Sequence, residues 1–120
     1  MQFFCYTLGD ESVPVPPPTP ELMAEMGPFM AEAFSSGVIV ATGGLAPTSE
    51  GVKVAYRDGS FSVTDGPFAE AKELIGGWAL IEVGSKEEAV AWTKRFLKIT
   101  GGEARVRQVF GPGDGAPAGG

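Results

Sequence analysis

Asp65 lies in the part of this sequence where the residue types could support chemistry. It precedes Gly66, Pro67 and Phe68 at the expected end of a strand, and a carboxylate there can accept amide hydrogen bonds across the turn. Gly66 leaves the backbone open to a close approach. Asp65 therefore has two interpretations that do not exclude each other: a turn-forming residue, or a ligand-facing general base whose pKa is raised by burial.

The other candidate ligand contacts are aromatic or basic. Arg57 carries a planar guanidinium that suits an anionic substrate. Tyr6, Phe68 and Trp78 offer aromatic faces, which either line a pocket or pack in the core. Together with Asp65 as the candidate catalytic residue, the predicted ligand-binding set is Tyr6, Arg57, Gly66, Pro67, Phe68, Lys72 and Trp78.

A charged cluster follows the turn. Glu70 and Glu73 are three residues apart, so they share a face if the segment is helical, and Lys72 lies beside that face. The first interpretation of this cluster is a solvated surface. A contact with a dimer partner and a direct contact with substrate are the second and third.

Histidine is absent from all 120 residues. This absence excludes catalytic Ser-His-Asp and Cys-His arrangements and removes a common metal ligand. The sequence also lacks the glycine-rich fingerprint of nucleotide-binding folds, so we expect no metal and no cofactor. The single cysteine, Cys5, lies in an apolar run, where a thiol behaves as a small hydrophobe, and one cysteine fits a reducing compartment.

The charge balance excludes further classes of partner. The formal net charge is −6, whereas phosphate binding needs a basic stripe, so nucleic acid is not an expected ligand. No stretch approaches the roughly 20 apolar residues that span a bilayer. The N-terminal apolar run also lacks the basic start of a signal peptide. We therefore expect no membrane association and a cytoplasmic location.

Two helices are predicted from capping signals. Thr19 is the expected N-cap of the first, with Pro20 at its first position. Pro28 lies inside this helix and predicts a kink or a restart, because an interior proline costs about 3 kcal/mol. The second helix is predicted to begin at the capping box of residues 85–88 and to end at Gly101.

Strands are predicted where apolar residues alternate or cluster, at residues 2–8, 38–46, 52–57, 60–64, 78–83 and 105–110. A bend or bulge is expected at Gly43-Gly44. Asp58-Gly59 predicts a tight hairpin in which both turn residues have positive φ. Val52, Val54 and Tyr56 alternate with polar or small residues, which predicts a half-buried strand, and Phe61 and Val63 of the returning strand are expected to face the core.

The predicted order is β-α-β-(hairpin)-β-α-β over residues 1–110, followed by a Gly/Pro-rich tail at 111–120 that we expect to be disordered. Two helices on one face of an antiparallel sheet define an α+β domain of the ferredoxin-like type with an added hairpin. The opposite sheet face would be bare. Because its strands are rich in valine, leucine and aromatic residues, we expect a homodimer that covers it.

Residues 63–78 (VTDGPFAEAKELIGGW) resemble the DGPF-domain branch of the YCII-related proteins. The family pattern runs TDGPF, then A-E-x-K-E, then a Gly-aromatic pair that opens a strand, and this chain has all three parts. Further similarity lies at residues 43–47, 85–92 and 105–110. The resemblance thus covers essentially residues 1–110.

This resemblance implies a dimeric α+β barrel of two ferredoxin-like subunits, with a cleft in each. It implies little chemistry, since most DGPF proteins have no assigned activity, and many are encoded near extracytoplasmic-function sigma factors. The wider YCII group includes enzymes that eliminate chloride from a ring-cleavage product with a His-Asp pair. Because this chain has no histidine, that pair cannot be carried over.

Three functions follow as hypotheses. The leading one is the binding of a small organic molecule, such as an organic acid, in a cleft of a homodimer. The second is a lyase- or isomerase-like enzyme in which Asp65 transfers a proton and Arg57 holds a carboxylate. The third is an accessory protein that interacts with another protein, linked to sigma-factor regulation.

Overall fold

Each of the two helices lies between two strands in the computed structural model, which describes residues 1–9, 17–66 and 74–113. The elements are β1 (Gln2–Gly9), α1 (Pro20–Ser35), β2 (Ile39–Gly44), a 3-10 turn (Thr48–Glu50), β3 (Val52–Arg57), β4 (Ser60–Asp65), β5 (Leu74–Glu82), α2 (Lys86–Thr100) and β6 (Ala104–Val109). The predicted order of elements is confirmed. Pro67, Phe68, the charged cluster of Glu70, Lys72 and Glu73, and residues 114–120 of the tail lie outside the described residues.

The main sheet has four antiparallel strands in the order β2-β5-β1-β6. This mixed α+β arrangement, with both helices joining strands of one sheet, is compatible with a ferredoxin-like fold. The register of β2 against β5 shifts between Ile39 and Ala41. The bulge predicted at Gly43-Gly44 therefore lies earlier in the strand, since Gly43 and Gly44 pair regularly with Trp78 and Gly77.

Helix α1 begins as predicted and continues past its internal proline. The Thr19 hydroxyl accepts a hydrogen bond from the Leu22 amide at 3.1 Å, with Pro20 as the first helical residue. The helix is unbroken through Pro28, so the alternative of a restart at Pro28 is wrong. Phe29 and Ala33 are buried just beyond the proline, and such packing offsets the lost backbone hydrogen bond.

Helix α2 begins at the predicted cap. The Ser85 hydroxyl accepts a hydrogen bond from the Glu88 amide at 3.2 Å, and the Glu88 carboxylate accepts one from the Gly84 amide at 3.1 Å. Gly101 ends the helix with a φ of 72°, a conformation that suits glycine. Within the described part of the chain, no helix is long and apolar enough to cross a membrane.

The hydrophobic core lies between the helices and one face of the main sheet. Its buried cluster consists of Phe3, Val38, Ile81, Val83 and Ala89. Because successive strand residues point to opposite faces, burial of Phe3 and Ile81 turns Phe4, Tyr6, Trp78 and Leu80 to the other side. We call this side the open face of the sheet, because both helices lie on the core side.

The β3–β4 hairpin forms its turn as predicted but does not contribute to the core. Asp58 and Gly59 both have positive φ, at 52° and 80°, as the tight turn requires. The strands form a separate two-stranded sheet, and the apolar residues predicted to be half-buried or to face the core are exposed, from 54% at Val52 to 75% at Phe61. That prediction was wrong because alternation identifies side chains that share a face, but not what covers the face.

Gly66 closes the base of the hairpin through a close backbone contact. Its amide donates a hydrogen bond to the Gly51 carbonyl at 2.9 Å. A Cβ atom at position 66 would lie 1.7 Å from the carbonyl oxygen of Thr48. Glycine is therefore needed at this position for packing against the 3-10 turn.

We expect Gly66→Ala to lower the free energy of unfolding by about 1–3 kcal/mol, because the backbone must move to relieve the overlap with Thr48. Gly9→Ala is the matched control, since nothing lies within 4 Å of a Cβ at that position. It should change stability by less than about 0.5 kcal/mol. Urea unfolding curves of the two variants measure the difference, and equal stabilities would contradict the contact.

Candidate functional site

A cavity of about 240 Å³ lies between the two helices and the core side of the sheet. Helix α1 contributes Phe29, Met30 and Ala33 to its wall, and α2 contributes Trp92, Thr93 and Phe96. The strands of the sheet, together with Val38 just before β2, contribute the rest of the lining. These residues are Cys5, Tyr6, Thr7, Val38, Ile39, Thr42, Gly43, Gly77, Trp78, Ala79, Ile81 and Ala104.

The cavity exists because the sheet is lined with small side chains where the helices carry large ones. Gly77 and Ala79 on β5 leave space beneath the rings of Phe29, Trp92 and Phe96. The Thr7 hydroxyl accepts a hydrogen bond from the Gly77 amide at 2.9 Å. The floor of the cavity is therefore held in place by the pairing of β1 with β5 and by the Thr7 hydroxyl, and Gly77 places no side chain in the space above it.

Cys5 and Thr93 are the polar groups that meet inside the cavity wall. The Thr93 hydroxyl lies 2.8 Å from the Ala89 carbonyl oxygen, to which it donates, and 3.8 Å from the Cys5 sulfur. Burial raises the pKa of the Cys5 thiol, and the neighbouring Thr93 hydroxyl opposes part of that rise. Cys5 is therefore held as a neutral thiol, a weak nucleophile.

The rest of the described cavity lining is uncharged as well. Among the lining residues that the structure describes there is no lysine, arginine, aspartate or glutamate. An apolar wall of this kind favours a neutral, hydrophobic molecule, because a buried charge without a partner is costly. No group of three acidic, cysteine or histidine side chains in the described ranges is placed to hold a metal ion.

An arginine joins the two helices beside the cavity. The Arg95 guanidinium lies 4.7 Å from the ring centroid of Trp92 and 5.2 Å from that of Phe29. It also pairs with Glu32 of α1, and this hydrogen bond lowers the pKa of the Glu32 carboxyl. The two aromatic walls are thus held together by cation–π contacts and an exposed ion pair.

The open face of the sheet carries a second feature, an aromatic cluster. The ring centroids of Phe4 and Tyr6 are 5.4 Å apart, and those of Phe4 and Trp78 are 5.9 Å apart. The Trp78 indole lies over Gly43, where a Cβ atom would be 3.3 Å from the ring. The cluster is therefore packed along its own sheet, with its outer surface uncovered by the helices.

Two arginines flank this cluster on β6. Arg105 is the pairing partner of Tyr6, and Arg107 is the partner of Phe4, so both side chains lie on the open face. The Arg105 guanidinium also lies 3.4 Å from the Glu103 carboxylate. Planar rings beside guanidinium groups can bind an anionic or aromatic surface.

The structure brings together two of the predicted site residues and separates others. Tyr6 and Trp78 are pairing partners and both contribute to the cavity lining. Asp65 is paired with Val52 at the base of the hairpin, whereas Arg57 is paired with Ser60 beside the turn. Asp65 and Arg57 thus lie at opposite ends of the hairpin and on opposite faces.

Sequence reasoning did not identify the cavity or the arginines of the open face. The small residues Gly77 and Ala79 in an otherwise apolar strand were the available signal for the cavity. The alternation of Arg105 and Arg107 with apolar residues was the signal for a basic sheet face. Neither signal shows where the opposing helices lie.

Comparison with known proteins places this chain in a family. The model of the YCII-related domain matches residues 1–111. An uncharacterized protein of Rhizobium meliloti (strain 1021) is 29% identical over 97 residues, which cover 78% of this chain and 78% of that protein. Since the domain match spans nearly the whole sequence, the chain belongs to the YCII-related family.

Proposed function

We propose that this protein binds a small, neutral, predominantly apolar organic molecule in the cavity between its helices and its sheet. The observation that carries the proposal is the cavity of about 240 Å³ with an uncharged lining. Dry apolar cavities of about 150 Å³ bind benzene. By proportion, the ligand would have on the order of ten non-hydrogen atoms, the size of indole or naphthalene.

Apolar burial would supply most of the binding free energy. Burying about 200 Å² of ligand surface contributes roughly 5 kcal/mol, which corresponds to a Kd on the order of 10⁻⁴ M. The Thr93 hydroxyl and the Cys5 thiol add weak polar contacts that orient a ring bearing one polar group. This arrangement supports recognition by shape and hydrophobicity.

The charge of the ligand separates this proposal from the organic acid suggested by the sequence. A carboxylate in the cavity would be buried without a basic partner among the described lining residues. The open face, with Arg105 and Arg107 beside aromatic rings, suits an acid better. We therefore assign the neutral ligand to the cavity and keep the organic acid as an alternative for the open face.

We further propose that the chain works in the cytoplasm as a homodimer of the DGPF branch, in which a second copy covers the open face to complete an α+β barrel. Residues 63–66 support the branch, and the half-buried aromatic cluster of Phe4, Tyr6 and Trp78, which no helix covers, supports the dimer. The single, half-buried cysteine supports a reducing compartment.

The two alternative functions receive less support. A proton transfer by Asp65 with Arg57 as carboxylate anchor needs both side chains at one place, and a single subunit holds them at opposite ends of the hairpin. Regulation through a sigma factor would need a docking motif for that partner. The sequence contains no recognisable peptide-recognition motif of this kind.

Filling the cavity should abolish ligand binding. We expect Ala33→Leu, which places three additional carbon atoms in the cavity wall, to weaken the binding of indole and naphthalene at least about tenfold. Ala31→Leu is the matched control, because Ala31 is exposed on the same helix. NMR titrations of both variants and the wild type measure the Kd values. Equal binding by the two variants would contradict the site, and so would a preference for naphthoate over naphthalene.

The reactivity of Cys5 provides a second measurement at the same site. Because burial raises its pKa, we expect Cys5 to react with iodoacetamide at pH 8 at least several-fold more slowly than a free cysteine. Saturating naphthalene should slow the reaction further in the wild type but not in Ala33→Leu. Mass spectrometry of timed samples gives the rates, and a rate equal to that of free cysteine would contradict the burial of the thiol.

A further inference from the structure

We propose that the apolar face of the β3–β4 hairpin docks on the open sheet face of a second copy of this chain. The inference rests on the proposed homodimer and is independent of the ligand in the cavity. It specifies which surfaces meet and which side chain of the partner reaches the aromatic cluster.

The hairpin has an apolar face without a cover. Its cross-strand pairs Val54–Val63 and Tyr56–Phe61 lie on one side together with Val52. These five side chains are between 54% and 75% exposed, and every residue of β4 is exposed. An isolated two-stranded hairpin is at best marginally stable in water, so a face of this kind is expected to pack against another surface.

Its shape is set before any partner binds. The ring centroids of Tyr56 and Phe61 are 4.7 Å apart, and the positive-φ turn at Asp58-Gly59 fixes the register of the two strands. The hairpin therefore presents a preformed surface. Docking would cost little conformational entropy beyond that of the side chains.

The area is sufficient for a specific dimer. The exposed fractions of the five side chains correspond to on the order of 500 Å² of apolar surface on each hairpin. In a two-fold dimer each hairpin would meet the sheet of the other copy. The two equivalent contacts together would bury about 2,000 Å², which lies in the range of stable interfaces.

Charge complementarity favours the open face of the second copy as the surface that receives the hairpin. Asp65 shares the apolar face of the hairpin, because it is paired with Val52 at the base. On the open face, Arg105 and Arg107 flank Phe4 and Tyr6. An apolar hairpin with one carboxylate at its base can thus meet Arg107 beside Phe4, since the Arg105 guanidinium already lies 3.4 Å from the Glu103 carboxylate. Two hairpins facing each other would instead bring like charges together.

This contact would make a composite site. The hairpin of one copy would deliver Asp65 and Gly66 to the surface that carries Tyr6 and Trp78 of the other copy. These four residues were grouped from the sequence as one site, and a single chain holds the two pairs on separate sheets. The partner would therefore add the Asp65 carboxylate beside the aromatic cluster, on a face that already carries Glu82 opposite Gln2.

Sedimentation velocity of the full chain between about 1 and 100 µM tests the apolar contact. We expect a wild-type dimer, and a dimer Kd that is raised at least about tenfold by Phe61→Glu. Ser62→Glu is the matched control, since it adds the same charge on the opposite face of the same strand. It should change the Kd less than about twofold.

Charge reversal tests the orientation. Asp65→Arg and Arg107→Asp should each weaken the dimer, and the double variant should recover most of the lost affinity. In a Cys5→Ser background, mixed Asp65→Cys and Arg107→Cys chains should form a mixed disulfide.

Three outcomes would overturn the inference. A dimer that is insensitive to Phe61→Glu would place the interface elsewhere and leave the proposed homodimer standing. Efficient disulfide formation by Val63→Cys with itself would show that hairpin meets hairpin. A monomer at 100 µM would overturn this inference together with the proposed homodimer, while the cavity-filling experiment would still decide the ligand proposal separately.

Discussion

Burial of Phe3 in the central strand β1 is the constraint on which the rest of the structure depends. Its side chain is 1% exposed and packs with Ile81 of β5 and Ala89 of α2, while β1 itself pairs with both β5 and β6. One aromatic side chain thus fixes which face of the sheet receives the helices. Strand alternation then determines the direction of every other side chain in β1.

A sheet with both helices on one side produces two distinct surfaces from the same strands. On the core side, Cys5 and Ala79 leave space beneath the aromatic rings of the helices, and the cavity results. On the open side, Phe4 and Trp78 stack without a cover. The ligand proposal and the dimer proposal therefore draw on opposite faces of one sheet and share only Tyr6 and Trp78 among the residues of the aromatic cluster.

Local signals in the sequence were sufficient to predict the helices, strands and turns, but they did not predict how these elements pack against one another. The caps Thr19 and Ser85 and the turn at Asp58-Gly59 were predicted because each depends on neighbouring residues. The continuity of α1 through Pro28 depends on tertiary contacts that no local rule contains. The same holds for the candidate site, since Tyr6 and Trp78 meet only through the pairing of β1 with β5.

The shift in register between Ile39 and Ala41 has a consequence for aggregation. Strand β2 is at one border of the main sheet, where unpaired amides and carbonyls can recruit a strand from a neighbouring molecule. A bulge near Val40 bends the strand and interrupts the regular spacing of those groups. The opposite border, β6, carries Arg105 and Arg107, whose charges repel an incoming copy of the same strand. Both borders are thereby protected against the growth of a continuous intermolecular ladder.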